Sequence, residues 1–335
     1  DATLYIKEST GKLVATIDRG YTASFSENSE FLICKIKPLF KETRDAKIKK
    51  KKAEEMPKDS LAIVTLSNGS VEKIAKVKSY KTPEDGNYIA WLLDSDKKSD
   101  KEDEIGTMAC LLNIKTGKRD SLKKVTEYFF DKKGNSLVYE VKRGKKDSVL
   151  KSAIVWINLN TNKADTLKKD FAEASSFTLN DDGDKLAYVL TNDTSKAEQK
   201  EYSLFYHQAN SEKVVNINND NKAIPTKWRI NENAKLDFSK KGNRLFFGTS
   251  PQLPAKDTSL PEFERVSVDV WHYNEDDLQT VQLKNLDNDL KKSYTVVLDL
   301  NSNAVTQLAD KKFERTYRTL EGDGTVFYTT SDFGK

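Results

Sequence analysis

Histidine, cysteine and methionine each occur twice in this chain of 335 residues, and proline occurs only seven times. Each shortage removes a class of chemistry. A Ser-His-Asp relay needs a histidine beside an activated serine, usually on a GxSxG turn. The two histidines are His207, inside the strand-like YSLFYHQAN, and His272, while GTSPQ at 248–252 lacks the second glycine of such a turn. His207 therefore reads as an edge or surface residue of a strand. The phosphate-cradling loops GxxxxGK and GxGxxG are missing as well. Cys34 (in FLICKI) and Cys110 (in MACLLNI) lie in apolar clusters, with no CxxC and no paired His/Cys spacing. They read as buried free thiols, with a disulfide left open if adjacent blades bring their strands together. The acidic NDDGDK at 180–185 lacks the glutamate and spacing of a calcium loop and reads as a β-turn. No residue is thus assigned as catalytic, cofactor-binding or metal-ligating, and no cofactor is expected.

Long apolar runs are absent too. No stretch approaches the ~18 residues of a membrane span. No leader pattern precedes Asp1, which opens directly in DATLYIKES, so a mature or engineered N-terminus is expected. Charge of one sign is also lacking: 56 Lys and Arg face 52 Asp and Glu, for a net +4. That balance keeps a protein soluble and points to no nucleic-acid partner. Aromatics at 10% argue against a disordered chain.

What the chain does have is a recurring phrase: an apolar residue, a polar turn, then two or three apolar residues. It is clearest in DFSKKGNRLFFGT, with Phe238, Gly242, Leu245, Phe246 and Phe247. FFDKKGNSLVYE (Phe130, Gly134, Leu137) and FTLNDDGDKLAYV (Leu179, Gly183, Leu186) repeat it. Weaker copies carry Phe25, Ser29 and Phe31; Gly86 and Ile89; and Leu320, Gly324 and Val326. The turns fall at 29, 86, 134, 183, 242 and 324, giving intervals of 57, 48, 49, 59 and 82 residues. Between them lie LSNGSVEKI (66–74), NIKTGKRDSL (113–122), NLNTNKADTL (158–167) and DLNSNAVTQL (299–308), each a strand, a short polar turn and a strand. Two hairpins per repeat make four strands. The expected fold is all-β, a β-propeller of four-stranded antiparallel blades, in preference to unrelated hairpins of a sandwich. Phe130, Leu137, Leu186, Phe238, Leu245 and Phe247 are its expected core.

Residues 1–335 read as one such domain with insertions. The first, 41–60 (KETRDAKIKKKKAEEMPKDS), is nearly pure charge and is expected to be an exposed loop or short surface helix, dispensable for stability. A second charged stretch, DSDKKSDKEDEIG at 94–106, reads as a loop. The third lies within 251–293, and Pro251, Pro254 and Pro261 start it as an extended excursion.

The phrase VSVDVWHYNEDDLQTVQLK at 266–284 resembles a propeller segment of prolyl-oligopeptidase-family serine peptidases, including bacterial dipeptidyl-peptidase-like members. Asp269, Val270, Trp271, Leu278 and Gln282 stand in the matching places. The phrases at 129–139 and 237–247 are similar to the family's blade repeat, although they equally admit TolB-like or WD40-like propellers. The resemblance implies a propeller of seven or eight blades, of which six repeats are visible. It also implies an α/β-hydrolase domain bearing serine, aspartate and histidine, which these residues do not contain. The family's dipeptidyl peptidases hold a substrate amino terminus with a glutamate pair. Glu54 and Glu55, in their lysine-rich context, do not match that motif and are not given the role.

The expected function is accordingly that of a non-catalytic propeller, gating peptide access to a hydrolase domain outside this chain. The expected partners are a peptide substrate and that domain, with a homo-oligomer open, no nucleic acid and no membrane span. A periplasmic or secreted location goes with this reading, and a cytoplasmic one stays open. The alternatives are an independent TolB-like protein-binding propeller and a propeller glycosidase working through two carboxylates. Trp271, on the opposite face of a strand that alternates through Val266, Val268 and Val270, is expected to be a buried anchor; a ligand-stacking platform beside His272, Tyr273 and the acidic 275–277 is the alternative.

Overall fold

The computed structural model describes residues 2–94, 107–142, 151–195, 197, 199–211, 213–253, 261, 264, 271–275 and 277–331. The chain divides into two compact units, Asp1–Phe171 with Asp181–Gly183, and Ala172–Asn180 with Asp184–Lys335. All strand pairings are antiparallel, and only two α-helices occur among the described residues.

The first unit opens with the hairpin β1 (Thr3–Lys7) and β2 (Leu13–Asp18). A four-stranded meander follows, formed by β3 (Gly20–Phe25), β4 (Phe31–Ile36), β5 (Ser60–Thr65) and β6 (Ser70–Ile74). Next come β7 (Val77–Lys81), β8 (Tyr88–Leu93), β9 (Thr107–Asn113), β10 (Arg119–Phe130), β11 (Ser136–Val141), β12 (Ala153–Asn158) and β13 (Lys163–Lys169). These seven form one continuous ladder because β10 serves two meanders. Its first part pairs with β9 and its second with β11; the registers shift beside Val125, and Lys124 adopts φ 57°. Such a bulge bends a strand from one sheet into the next.

The second unit holds a meander of β14 (Glu173–Leu179), β15 (Lys185–Thr191), β16 (Ser203–Gln208) and β17 (Val214–Ile217). In the next sheet the first strand is split into β18 (Trp228–Ile230) and β19 (Asp237–Phe238), both paired with β20 (Arg244–Pro251). The strands β21 (Tyr294–Asp299) and β22 (Val305–Gln307) complete it, and β23 (Arg315–Arg318) with β24 (Phe327–Thr330) forms a last hairpin. The fold is therefore all-β, a succession of four-stranded antiparallel meanders of the kind that make propeller blades.

Alternation along each strand explains why these sheets stack. Successive side chains of a strand point to opposite faces. On β4, Leu32, Cys34 and Ile36 pack with Ile6, Ala15 and Ile17 of the first hairpin. Ile33, between them, joins Val77, Ile89 and Trp91 of the following sheet. On β8 the split recurs, with Ala90 and Leu92 turning instead to Tyr128 and Leu137. In the second unit Ala187, Val189 and Leu204 pack with Ile230, Leu245, Phe247 and Val296. Both faces of the inner strands are covered, so the strands read as continuous apolar runs. Of the expected core, Leu137, Leu186 and Leu245 are fully buried, Phe238 and Phe247 are buried, and Phe130 is half-buried.

The turns that end these strands are stitched by polar side chains. After the first strand of four meanders, a side-chain oxygen accepts the backbone N–H five residues on. The pairs are Ser26 with Phe31 (3.0 Å), Asp131 with Ser136 (2.6 Å), Asn180 with Lys185 (2.9 Å) and Ser239 with Arg244 (3.2 Å). The turn glycine of the next meander then lies against that residue. A Cβ on Gly183 would stand 2.6 Å from Cγ of Asp131, and one on Gly242 would stand 3.3 Å from Nδ2 of Asn180. Three of the turns joining third to fourth strands are Asx turns: Asn113, Asn158 and Asp299 each accept two backbone N–H groups through Oδ1.

Three expectations are corrected. The sixth phrase does not form a buried repeat, because Leu320 and Val326 are exposed. Its chain folds into a 3-10 turn at Leu320–Gly322, which places the left-handed glycine at Gly322 rather than Gly324. Residues 41–60 are not uniformly solvated. Helix α1 (Phe40–Ile48) buries Ala46, Met56 to Asp59 are half-buried, and Ser60 already begins β5. His207 is no surface residue: it is buried, its ring stacks on Tyr188, and its Nε2 lies 2.8 Å from the Tyr188 hydroxyl. The pairing of β16 on both sides, by β15 and β17, removes the edge on which it was expected. Both cysteines are free, Cys34 buried with its thiol pushed up to about 11 by burial. No helix among the described residues is long and apolar enough to cross a membrane.

Gly117 and Gly183 separate backbone strain from crowding. Both have positive φ (72° and 70°), but a Cβ at Gly117 would meet nothing within 4 Å. Gly117→Ala is expected to cost about 1–2 kcal/mol, the left-handed penalty alone. Gly183→Ala is expected to cost about 2–4 kcal/mol, because overpacking against Asp131 is added. Urea unfolding of the two variants measures the difference; equal losses would mean that the turn does not press on Asp131.

Candidate functional site

Connections between first and second strands, and between third and fourth, are tight turns. Those between second and third strands are long. In the first unit they run over 37–59, 94–106 and 142–152, and in the second over 192–202 and 252–293. In an antiparallel meander the second-to-third connection leaves the end opposite to the tight turns. Within each meander, therefore, every long excursion emerges at the end away from the glycine turns. Rigid sheets carrying long connections at one end are a common setting for binding sites. Three of these stretches stand out in sequence by charge or proline, but their equivalent position in the repeat is visible only once the strands are paired.

In the first unit this end holds a groove of about 740 Å³. Its fixed wall is the corner between β2 and β3. Arg19 adopts φ 60°, donates its backbone N–H to Ala2 (2.7 Å) and accepts one from Lys37 (3.0 Å). The following Gly20 leaves no room for a side chain, since a Cβ there would stand 2.9 Å from Cβ of Leu4. The Nε of Arg19 is buried without a hydrogen-bond partner. The other wall is the 37–59 connection, in which Pro38 precedes α1 and a 3-10 turn at Ala53–Glu55 follows it. Lys58 fastens this wall by an ion pair with Asp94 at 3.1 Å and a hydrogen bond to the Ala53 carbonyl at 3.3 Å. Arg19, Lys37, Lys51, Lys58 and Lys76 line the groove with Glu42 and Glu55, over an apolar floor that includes Ile36, Pro38, Leu39, Met56 and Pro57. Beside it the Tyr21 hydroxyl donates to Asp59 at 2.5 Å, and the Lys37 ammonium lies 5.0 Å from the centre of the Tyr21 ring. Burial, and then Asp59, hold the Tyr21 phenol well above its ordinary pKa.

The same end of the second unit carries a charged network. Glu173 accepts from Lys200 (2.6 Å) and from the Tyr202 hydroxyl (2.8 Å). Arg229, with its side chain only 4% exposed, pairs with Glu232 at 2.5 Å and reaches the Lys200 carbonyl at 3.4 Å. The Ser175 and Ser176 hydroxyls both donate to the Glu232 carbonyl at 2.8 Å. Such a network is rigid and specific because a buried charge left unpaired is costly. Burial raises the Tyr202 phenol, with Glu173 adding to it. In the first unit Glu140, at the end of β11, is also buried. Its Oε2 accepts from Thr126 at 2.7 Å, Lys142 lies 3.9 Å from its Oε1, and Oε1 has no hydrogen-bond partner.

Of the residues that carried the family resemblance, Trp271, Leu278 and Gln282 are described. Asp269 and Val270, with Val266 and Val268, lie outside the described residues. Trp271 is 69% exposed, which overturns its expected role as a buried anchor: no apolar surface covers it. Leu278 is 74% exposed and precedes helix α2 (Gln279–Leu290), which buries none of its residues. Gln282 donates to Glu275 and to the Asp277 carbonyl, both at 2.8 Å, closing this helix onto its own leading segment. Among the described residues no group of three or more His, Cys, Asp or Glu could hold a metal ion.

No known family profile matches the chain, and no curated protein matches it. Solved structures similar to it include tricorn protease (11% identity, TM-score 0.42, covering 90% of this chain). Another is the β-propeller domain of the Trilobed protease from Pyrococcus furiosus (10% identity, TM-score 0.44), with 88% of this chain and 73% of that one covered. A third is a prolyl endopeptidase (10% identity, TM-score 0.47, covering 90% of this chain). The chain spans 28% of the length of tricorn protease and 38% of that of the prolyl endopeptidase.

Two outcomes follow from this geometry. Burial raises the Glu140 pKa, against the pull of Thr126 and Lys142, so the folded state holds the proton more tightly than the unfolded state. Stability contributed by the protonated form is then lost as pH rises from the ordinary carboxylate value of 4.5 through the folded pKa. Glu140→Gln is expected to flatten this dependence and to gain roughly 1 kcal/mol at neutral pH. Chemical unfolding at several pH values measures it, and a variant destabilised at neutral pH would contradict it. Trp271→Ala is expected to change stability by no more than about 0.5 kcal/mol, as for other exposed positions, and thermal unfolding checks it.

Proposed function

We propose that this chain is a non-catalytic propeller domain of a prolyl-oligopeptidase-like serine peptidase, screening peptides for an α/β-hydrolase domain carried elsewhere in the protein. The observation that carries the reading is the placement of all five long connections between second and third strands. Stacked sheets supply rigidity, and the loops at the end away from the glycine turns supply contacts of both charge and apolar surface. Peptides, which present both kinds of group, suit such a lining. Residues 1–335 are then one propeller domain with insertions at 41–60 and 251–293. Acyl transfer to a serine would take place in the hydrolase domain, and this chain would contribute access and orientation.

The test uses the longer protein encoded by the gene. A fluorophosphonate probe is expected to label a serine beyond these residues, and turnover is expected to fall as peptide substrates lengthen. Shortening the 37–59 connection is expected to relax that dependence on length. Absence of a labelled serine in the full gene product would remove the peptidase reading in favour of an independent binding propeller. Turnover that ignores substrate size would remove the screening role.

A further inference from the structure

In the five complete meanders the second strands β4, β8, β11, β15 and β20 are paired on both sides, whereas β24 pairs only with β23 among the described residues. The turn before β24 fixes its place in the repeat. As Gly183 lies against Asp131 and Gly242 against Asn180, so Gly322 lies against Ser239, the cap of the preceding meander: a Cβ there would stand 3.2 Å from Cβ of Ser239. The Lys241 N–H donates to Asp323 at 2.8 Å and the Arg244 guanidinium to the Gly322 carbonyl at 2.9 Å, tying the turn to the same cap. β23 and β24 are therefore a first and a second strand, and the third position is open. Alternate N–H and C=O groups of β24 then face away from β23, which makes the strand a template for another. The two faces of the hairpin differ in the same sense. On one, the Arg318 guanidinium lies 4.3 Å from the centre of the Phe246 ring, and the Phe327 ring meets that ring edge-on at 5.8 Å. On the other, the cross-strand partners Tyr317 and Tyr328 stack at 4.8 Å and remain 41% and 57% exposed. On β4 and β8, second strands of complete meanders, both faces are covered.

We propose that the open edge of β24 accepts a third strand from a part of the protein outside residues 1–335, and that this strand turns back into a fourth. The complete meanders define its chemistry. Their third strands β5, β9, β12, β16 and β21 each carry at least three consecutive apolar residues. After three of them Asn113, Asn158 or Asp299 forms the Asx turn into the fourth strand. The occupant is thus an extended, antiparallel, apolar strand of this kind, and the sheet that follows it covers Tyr317 and Tyr328. A lone peptide along the edge would fill the ladder but leave the two tyrosine rings bare. The proposal rests on the reading of the chain as a domain of a longer protein, and it names the surface at which the remainder joins.

Hydrogen exchange of the segment 315–331, compared at equal low concentration between residues 1–335 and the longer gene product, tests it. Alternate amides of β24 are expected to exchange at least about tenfold more slowly in the longer protein. Tyr328→Glu is expected to leave the melting of residues 1–335 unchanged, as at other exposed positions, and to lower that of the longer protein. Lys163→Glu, on the exposed β13, is expected to leave both unchanged. Equal exchange of β24 in the two proteins, or tolerance of Tyr328→Glu in both, would overturn the proposal. So would slow exchange of β24 already present in residues 1–335. Slow exchange that grows with concentration would mark pairing with a second copy instead, and a gene that ends at Lys335 would remove the proposed occupant. The readout does not depend on catalysis: a longer protein without a labelled serine can still protect β24. A peptidase whose β24 stays unprotected loses this proposal alone.

Discussion

The structure depends on a buried polar cap. In four of the meanders a side-chain oxygen after the first strand takes the N–H five residues on, fixing where the chain reverses. For Asp131 and Asn180 the next meander's turn glycine then presses on the cap itself. Each of these two caps therefore closes its own turn and lies against the glycine of the following one. A carboxylate would not normally tolerate burial of this kind, and Asp131 has its pKa raised by it. The backbone N–H groups of Lys133 and Ser136 hold the charge in place. Removing the cap would leave a backbone donor buried without an acceptor, at a cost of about 1–3 kcal/mol.

That constraint explains the asymmetry of the meanders. The end with the caps admits little change, because glycine, cap and turn length are all set by contact with the neighbouring sheet. The opposite end is free of it, and the long connections gather there. The left-handed Arg19, the Arg229–Glu232 pair and the groove beside α1 are all at starts or ends of strands on that side of their meanders. The apolar faces supply cohesion, each buried Val, Leu, Ile or Phe contributing about 1.5–3 kcal/mol.

Much of this is legible in the residues. Strand period, the Asx turns at Asn113, Asn158 and Asp299, and the glycine turns follow from local chemistry, which is why the meander order could be read without the structure. One hairpin of the same series escapes notice. The β16–β17 turn uses Asn210 at φ 59° within QANSE, where no glycine and no flanking apolar pair draws attention to it. The misreading of His207 has a plain cause: whether a strand is an edge depends on pairing partners distant in sequence, and β17 covers β16. Trp271 failed for a related reason. Its apolar bulk argues for burial, but burial requires a covering surface, and helix α2 offers it none. The groove could not be foreseen either, because Arg19 and Lys51 are 32 positions apart and only the ladder of β3, β4 and β5 brings their segments to one end.

The lysine-rich stretch after β4 illustrates how one composition serves two ends. Read alone, KIKKKK is a solvated charge run, and most of its side chains are exposed. Yet Ala46 is buried, Lys58 is tied to Asp94, and the Lys51 backbone N–H donates to the Ala46 carbonyl at 3.0 Å. These few fixed points convert a flexible, charged connection into a wall with a defined position.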